Sequence, residues 1–242
     1  MRIRAKLCIL AFMAAIVLAG GGAIAVGAPA TPAPPDQKEL KEVLHRLDLA
    51  AANFHSTSAD VEIDVAQTYP VPDTEVQTGK VYYDRKGTAF QMALHFNLDN
   101  GKPAPKVMVV SGGVFKLYQP LLDQVITSKK VSNYESYLIL GFGASGEALA
   151  DRWNIQLDGA ETIGAVKTYK LELVAKDPEV LKLIPKVTIW IDPELGVSLK
   201  QVFDEGQGQS RTCVYSNIKV NGPLPSDAFT FKTDGKTTYV NR

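Results

Sequence analysis

Cysteine is nearly absent, with two residues in 242, Cys8 and Cys213. Cys8 lies in a leading apolar segment, so removal of that segment leaves one thiol and no intrachain disulfide. The fold must then be held by a core. Metal-binding spacing is missing as well: there is no Cys-x-x-Cys and no His-Glu-x-x-His. The three histidines, His45, His55 and His95, stand apart at positions that read as surface. No Gly-x-Ser-x-Gly elbow accompanies them, and no carboxylate pair can be set at a glycosidase-like separation without a fold. A non-enzyme without cofactor or metal is the expectation. Excess positive charge is lacking too. Formal net charge is zero, and once Arg2, Arg4 and Lys6 at the N-terminus are set aside, 23 basic residues face 26 acidic ones. That unpatterned, mildly acidic body excludes a nucleic-acid surface, and no polybasic run favours docking on anionic lipid. No fixed-period repeat is present.

What the chain does have begins at its N-terminus. "MRIRAKLCILAFMAAIVLAGGGAIAVGAPA" (1–30) reads as a secretory signal: basic residues, an apolar run from Leu7 to Leu18, then small residues. Ala23-Ile24-Ala25 and Ala28-Pro29-Ala30 both fit the small-x-small cleavage pattern, placing the cut near Ala25 or Ala30 and implying export of the mature protein. The apolar stretch Leu7–Ala28 is long enough to span a bilayer, but three consecutive glycines and a short core favour cleavage. A lipid anchor is not expected, because Gly21 stands where the acylated cysteine would follow Leu18-Ala19-Gly20. Residues 31–36 form a Pro/Ala linker, leaving one domain over 37–242, long enough for a sizeable core.

Asp36 and Glu39 make a capping-box pattern before a helix whose Leu40, Val43, Leu44, Leu47, Ala51 and Phe54 share one face. Strand patterns dominate from there on. Val61, Ile63 and Val65 alternate with Glu62 and Asp64, and Phe90, Met92, Leu94 and Phe96 alternate with Gln91, Ala93 and His95. Further strands follow over "KVMVV", "VFKLYQP", "QVITSKKV", "WNIQLDG", "KTYKLELVAK", "SRTCVYSNIKV" and "AFTFK", with "NGKPAP" (100–105) as a loop. Asp177-Pro178 caps a short helix that Pro185 stops. About eleven strands joined by short turns predict a mainly β (α+β) fold: one strongly curved antiparallel sheet, a half-open barrel, with the N-terminal helix and short lid helices (133–152 and 177–185) over its concave face.

The stretch "VTIWIDPELGVSLKQVFDE" (187–205) is apolar on both faces. Val187, Ile189 and Ile191 point one way and Trp190 the other. Either a fully packed core or a sheet holding something apolar that is not protein accounts for it. "GFGASG" (141–146) matches Gly-x-Gly-x-x-Gly, but a dinucleotide site needs a parallel βαβ unit around it. Amid antiparallel strands it reads as a flexible break between two lid helices.

Six stretches, taken in order, carry a family resemblance: "NFHSTSADVEI", "GKVYYDRKGTAF", "VVSGGVFKLYQP", "TYKLELVAKD", "IWIDPELGVSLKQVFDEGQG" and "NIKVNGPLPSDAFTFKTDGKTTYV". Over residues 37–240 the chain resembles the periplasmic outer-membrane lipoprotein carrier proteins of the LolA/LolB-like superfamily. The resemblance implies a monomeric, non-catalytic carrier that holds acyl chains of lipoproteins or lipids in an apolar cavity. It also implies traffic between an inner-membrane release complex and an outer-membrane acceptor. Arg85 matches the arginine that holds the family's lid shut, while Lys86 replaces the proline after it and Gly113 the hairpin aspartate. A cavity lined by Phe90, Met92, Leu94 and Trp190 from the sheet, and by Leu138, Ile139, Leu140, Phe142, Leu181 and Ile184 from the lid, is expected. A lipid-sensing regulatory or scaffold protein of the envelope built on the same fold is the alternative.

Overall fold

The computed structural model describes residues 37–87, 89–129 and 140–241. The signal segment 1–30, the linker 31–36 with the Asp36 cap, and Leu138 and Ile139 lie outside the described residues. Strand β1 (Ser56–Gln67) follows directly from the alternation of Val61, Ile63 and Val65. It pairs antiparallel on one side with β2 (Asp73–Lys86) and on the other with β11 (Gln209–Val220). That central pairing zips two meanders together. One runs through β2, β3 (Ala89–Asp99), β4 (Lys102–Ser111), β5 (Val114–Gln119) and β6 (Gln124–Ser128). The other runs through β7 (Trp153–Ile163), β8 (Val166–Ala175), β9 (Lys186–Asp192) and β10 (Val197–Gly206) to β11. The short β12 (Thr238–Asn241) returns parallel to β6.

The result is a single twelve-stranded sheet with β12 and β7 as its edges. Among the described residues it is an antiparallel-dominated sheet that is not closed into a barrel: no β7 pairing reaches β6 or β12. β6 and β7 belong to opposite sides of the sheet.

The inner face is covered by α1 (Gln37–Ala52), α2 (Gly146–Arg152) and α3 (Pro178–Leu183). Leu40, Val43 and Leu47 of α1, Leu149 of α2 and Val180 of α3 pack with Leu171, Leu173, Val187, Ile189 and Ile191 of β8 and β9. Burying each such side chain stabilises the fold by about 1.5–3 kcal/mol. The Ser145 hydroxyl accepts from Ala148 N to cap α2, and the Asp177 carboxylate accepts from Glu179 N to cap α3, with Pro178 in the first turn.

Two strand boundaries differ from the sequence reading. Lys102–Pro105 belongs to β4 instead of a loop; β5 ends before reaching Pro103 and Pro105, so their missing N–H groups break no ladder on that side. "AFTFK" is turn and coil, not a strand. It lies over the outer face, where Ala228, Leu224, Phe229 and Phe231 pack against Tyr82, Ala93 and Val109.

Candidate functional site

Beyond the mid-chain gap in the described residues, the chain enters the inner face at Leu140 and runs beside the start of β10. Ser198 N donates to Gly141 O at 2.6 Å, Gly143 N donates to Gly196 O at 2.9 Å, and Phe142 forms a bridge with Val197. The Gln201 side-chain amide donates to Leu140 O. This short strap drives Phe142 into the sheet with no exposed surface. Its ring stacks on Tyr83 at 4.2 Å and 16°, and meets Tyr215 edge-on at 4.8 Å and 81°. Around it lie Phe54, Val61, Ile63, Met92, Leu94, Phe96 and Cys213, all buried. Tyr215 donates its hydroxyl to Gln201 Oε1 at 2.9 Å, so the polar atoms of this floor serve one another.

Glycine is required where the strap turns. Gly143 has φ +66°, and a Cβ there would lie 2.2 Å from the Phe54 ring. Arg85 closes the same corner. Its guanidinium donates to Ala51 O at the end of α1 (3.3 Å) and to Gly143 O on the strap, and it lies over the Phe54 ring at 5.4 Å. No described carboxylate lies within ion-pair reach of Arg85. Burial moves its pKa below the ordinary arginine value. One half-buried cation therefore holds helix and strap together through two carbonyls.

The floor carries little reactivity. Burial raises the pKa of the Tyr83 and Tyr215 hydroxyls and pushes the Cys213 thiol up to about 11, so all three stay protonated and Cys213 is a poor nucleophile at neutral pH. Among the described residues no three His, Cys, Asp or Glu side chains converge as metal ligands.

The residues expected to line one cavity fall into several places. Phe90, Met92, Leu94 and Phe142 share the aromatic floor. Leu140 and Ile184 belong instead to the neighbouring core under α1, and partly buried Phe203 touches both. Leu181 is 39 % exposed on α3, because Val180 and Ile184 take that helix's inward positions. Trp190 is on the outer face, not the inner: its ring lies 4.6 Å from Lys200 Nζ and 5.6 Å from Lys170 Nζ, and its Nε1 donates to Glu161 at 2.7 Å. Strand alternation forces that placement, since Ile189 and Ile191 both point inward. The cations over the ring explain why an outer-face tryptophan is tolerated.

The floor itself is filled by Phe142. Two surface hollows measure about 330 and 390 Å³. One lies between the end of α1 and the β9–β10 turn, the other on the outer face near Asp60 and Lys80. Sequence reasoning missed Tyr83, Gln201 and Tyr215. The available signal was Gln201, a polar residue at an inward position between Leu199 and Phe203.

The family description "Outer membrane lipoprotein carrier protein LolA" matches residues 63–232. This chain belongs to the LolA family. Two solved structures share the fold, and a third is similar more loosely. An uncharacterized conserved protein from Thermus thermophilus is similar at 13 % identity and TM-score 0.52, covering 84 % of this chain and 99 % of that one. MucB is similar at 13 % identity and TM-score 0.51, over 85 % of this chain and 66 % of that one. A LolA superfamily protein from Nitrosomonas europaea aligns at 16 % identity with TM-score 0.40, over 79 % of this chain and 97 % of that one. No curated protein matches significantly.

Proposed function

We propose that this LolA-family chain is a periplasmic, non-catalytic carrier of the acyl chains of lipoproteins or lipids, and that Phe142 occupies the acyl site when cargo is absent. The observation that carries the reading is the glycine-flanked strap pressing one aromatic ring onto a dry aromatic floor, pinned by a cation with no described carboxylate beside it. Phe90, Met92 and Leu94 are the proposed sheet-side contacts and Arg85 the latch; Leu140 and Ile184 line the margin under α1.

Energetics favour exchange. Withdrawing Phe142 costs about 1.5–3 kcal/mol of burial, and each methylene buried returns about 0.8 kcal/mol. About four methylenes offset the ring, and a full acyl chain exceeds it severalfold. Cargo thus opens the strap by differential affinity for the open state, and reclosure of Phe142 assists release to an acceptor.

The test is extraction and mass spectrometry of protein purified from the envelope, with uptake of a triacylated lipopeptide by the delipidated protein. Stoichiometric acyl cargo supports the carrier. Clean protein that takes up no acylated ligand overturns it, and clean protein that co-purifies with one defined protein favours the lipid-sensing regulator instead.

A further inference from the structure

The two ends of the sheet differ in what they expose. At the near end α1 enters β1, and the β2–β3, β4–β5, β7–β8 and β9–β10 turns lie. The far end carries the β1–β2 loop, the β3–β4 turn, the 3₁₀ turn Pro120–Leu122 between β5 and β6, and the start of β12. Large exposed apolar side chains concentrate at the far end: Tyr69 and Val71 on the first loop, Leu98 beside the second, Leu121 and Leu122 on the third, and Tyr239 on β12. Tyr69, Val71, Leu121 and Leu122 are 54–74 % exposed, well beyond what a side chain covering its own loop would show. At the near end only Leu49 and Leu195 are comparable among the described residues.

We infer that the far end of the sheet is a membrane-contacting edge that inserts these loop tips into a zwitterionic lipid surface. The connections bearing them leave alternate strand pairs, so they stand about 10 Å apart, in a row of about 20 Å. Single apolar side chains on separate turns, with polar backbone between them, suit a deformable hydrocarbon boundary better than a shaped protein pocket, which needs contiguous packed area. Tyrosine, proline and valine at the tip of the first loop are the residues such a boundary accepts.

Charge selects the kind of surface. The far end has no excess of cations: Asp73, Asp99, Asp123 and Glu205 stand there with Lys102, Lys106 and Arg211; Lys106 lies 3.6 Å from Asp99, and Arg211 pairs with Glu205. Mixed, self-paired charge matches headgroups that carry both signs and gains nothing from anionic lipid. This inference does not rest on acyl-chain carriage; a protein that bound no cargo could still dock by this edge.

The experiment uses the full chain with vesicles of phosphatidylcholine brominated in its acyl chains, and one tryptophan added at a time as Val71→Trp, Leu122→Trp or Leu195→Trp, with the quenching of the native chain, from Trp153 and Trp190, subtracted as baseline. Quenching at 71 and 122 with none at 195 is the expected result. It reads the contacting end even if another part of the chain also holds the membrane. In the Val71→Trp background, the paired changes Leu121→Asp and Leu122→Asp should raise the lipid needed for half-maximal quenching at 71 about tenfold or more. Leu49→Asp with Leu195→Asp should leave it unchanged, with thermal midpoints equal throughout. Equal quenching at both ends, no quenching at all, or quenching only when anionic lipid is added overturns the inference.

Discussion

Two stretches of chain lie against this sheet, one on each face, and they are built to opposite ends. On the outer face the chain after β11 runs from Asn221 to β12. It packs Leu224, Ala228, Phe229 and Phe231 against the sheet, stacks Phe231 on Tyr118 at 5.1 Å, and brings the Ala228 carbonyl to His95 Nε2 at 2.8 Å. It then locks in by strand pairing and by a hydrogen bond from the Thr237 hydroxyl to Asp123 at 2.8 Å. The described part of the inner strap makes one bridge, buries one ring, turns on glycines and is tied by a cation with no described carboxylate in reach. Many small contacts spread over the outer strap favour permanence. A few concentrated ones on the inner strap favour a connection that lets go as a unit.

The largest effect should come from breaking the permanent side. Ala228→Asp places an unpaired carboxylate at a position 1 % exposed, between Tyr82, Ala93 and Val109. A loss of about 3–5 kcal/mol in chemical denaturation is expected, with no gain in affinity for an acylated probe. Phe142→Ala sharpens the contrast. It should cost about 3 kcal/mol of stability and yet raise probe affinity about tenfold, because the closed state that competes with cargo is weakened. If Phe142→Ala and Ala228→Asp affect the probe alike, the two straps do not differ in kind.

Much of this architecture could be read from residue order, and the failures share a cause. Strands such as β1 and β3 declare themselves by alternation, and the α3 cap by Asp177-Pro178. The β1–β11 pairing that joins the meanders links residues about 150 positions apart, as in Val61 with Tyr215, and no local pattern encodes it. "AFTFK" carries the same alternation as a strand, but its apolar residues answer the outer face of the sheet instead of a ladder partner. Phe142 was legible as apolar and lid-borne; that its ring is fully buried, with Tyr83 and Tyr215 as its bed, depends on packing alone. Trp190 is the clearest case. Its phase against Ile189 and Ile191 already placed it on the other face, and only the assumption that apolar means inward put it in the cavity.

The bed under the ring differs from the outer strap in its response to pH. Cys213 is held by burial near pKa 11 against an ordinary 9.0. The raised value means the unfolded chain loses its proton first. The associated stability is present in full below pH 9 and is lost as pH rises from 9 to 11, to a limit on the order of 2 kcal/mol. Tyr83 and Tyr215, also raised by burial, extend the decline above pH 10. Denaturation midpoints for the native chain and Cys213→Ala between pH 8 and 11 check this: the variant should start lower and fall less steeply between pH 9 and 10. Parallel curves would mean that the bed is wet.

The smallest change tests the tie itself. Arg85→Leu removes two hydrogen bonds to carbonyls but also removes the cost of half-burying a cation with no described carboxylate beside it, so the net loss in stability should be about 1 kcal/mol. Its larger consequence should be kinetic. Amide exchange at Gly143 and Ser198, whose N–H groups join strap and sheet, should quicken severalfold, while exchange in the β1–β11 ladder stays unchanged. Arg85→Lys should not restore protection, since one ammonium cannot span Ala51 O and Gly143 O in the geometry of a planar fork. Equal exchange in all three proteins would leave the strap held by Phe142 alone, and the arginine would then be an ornament of the corner, not its tie.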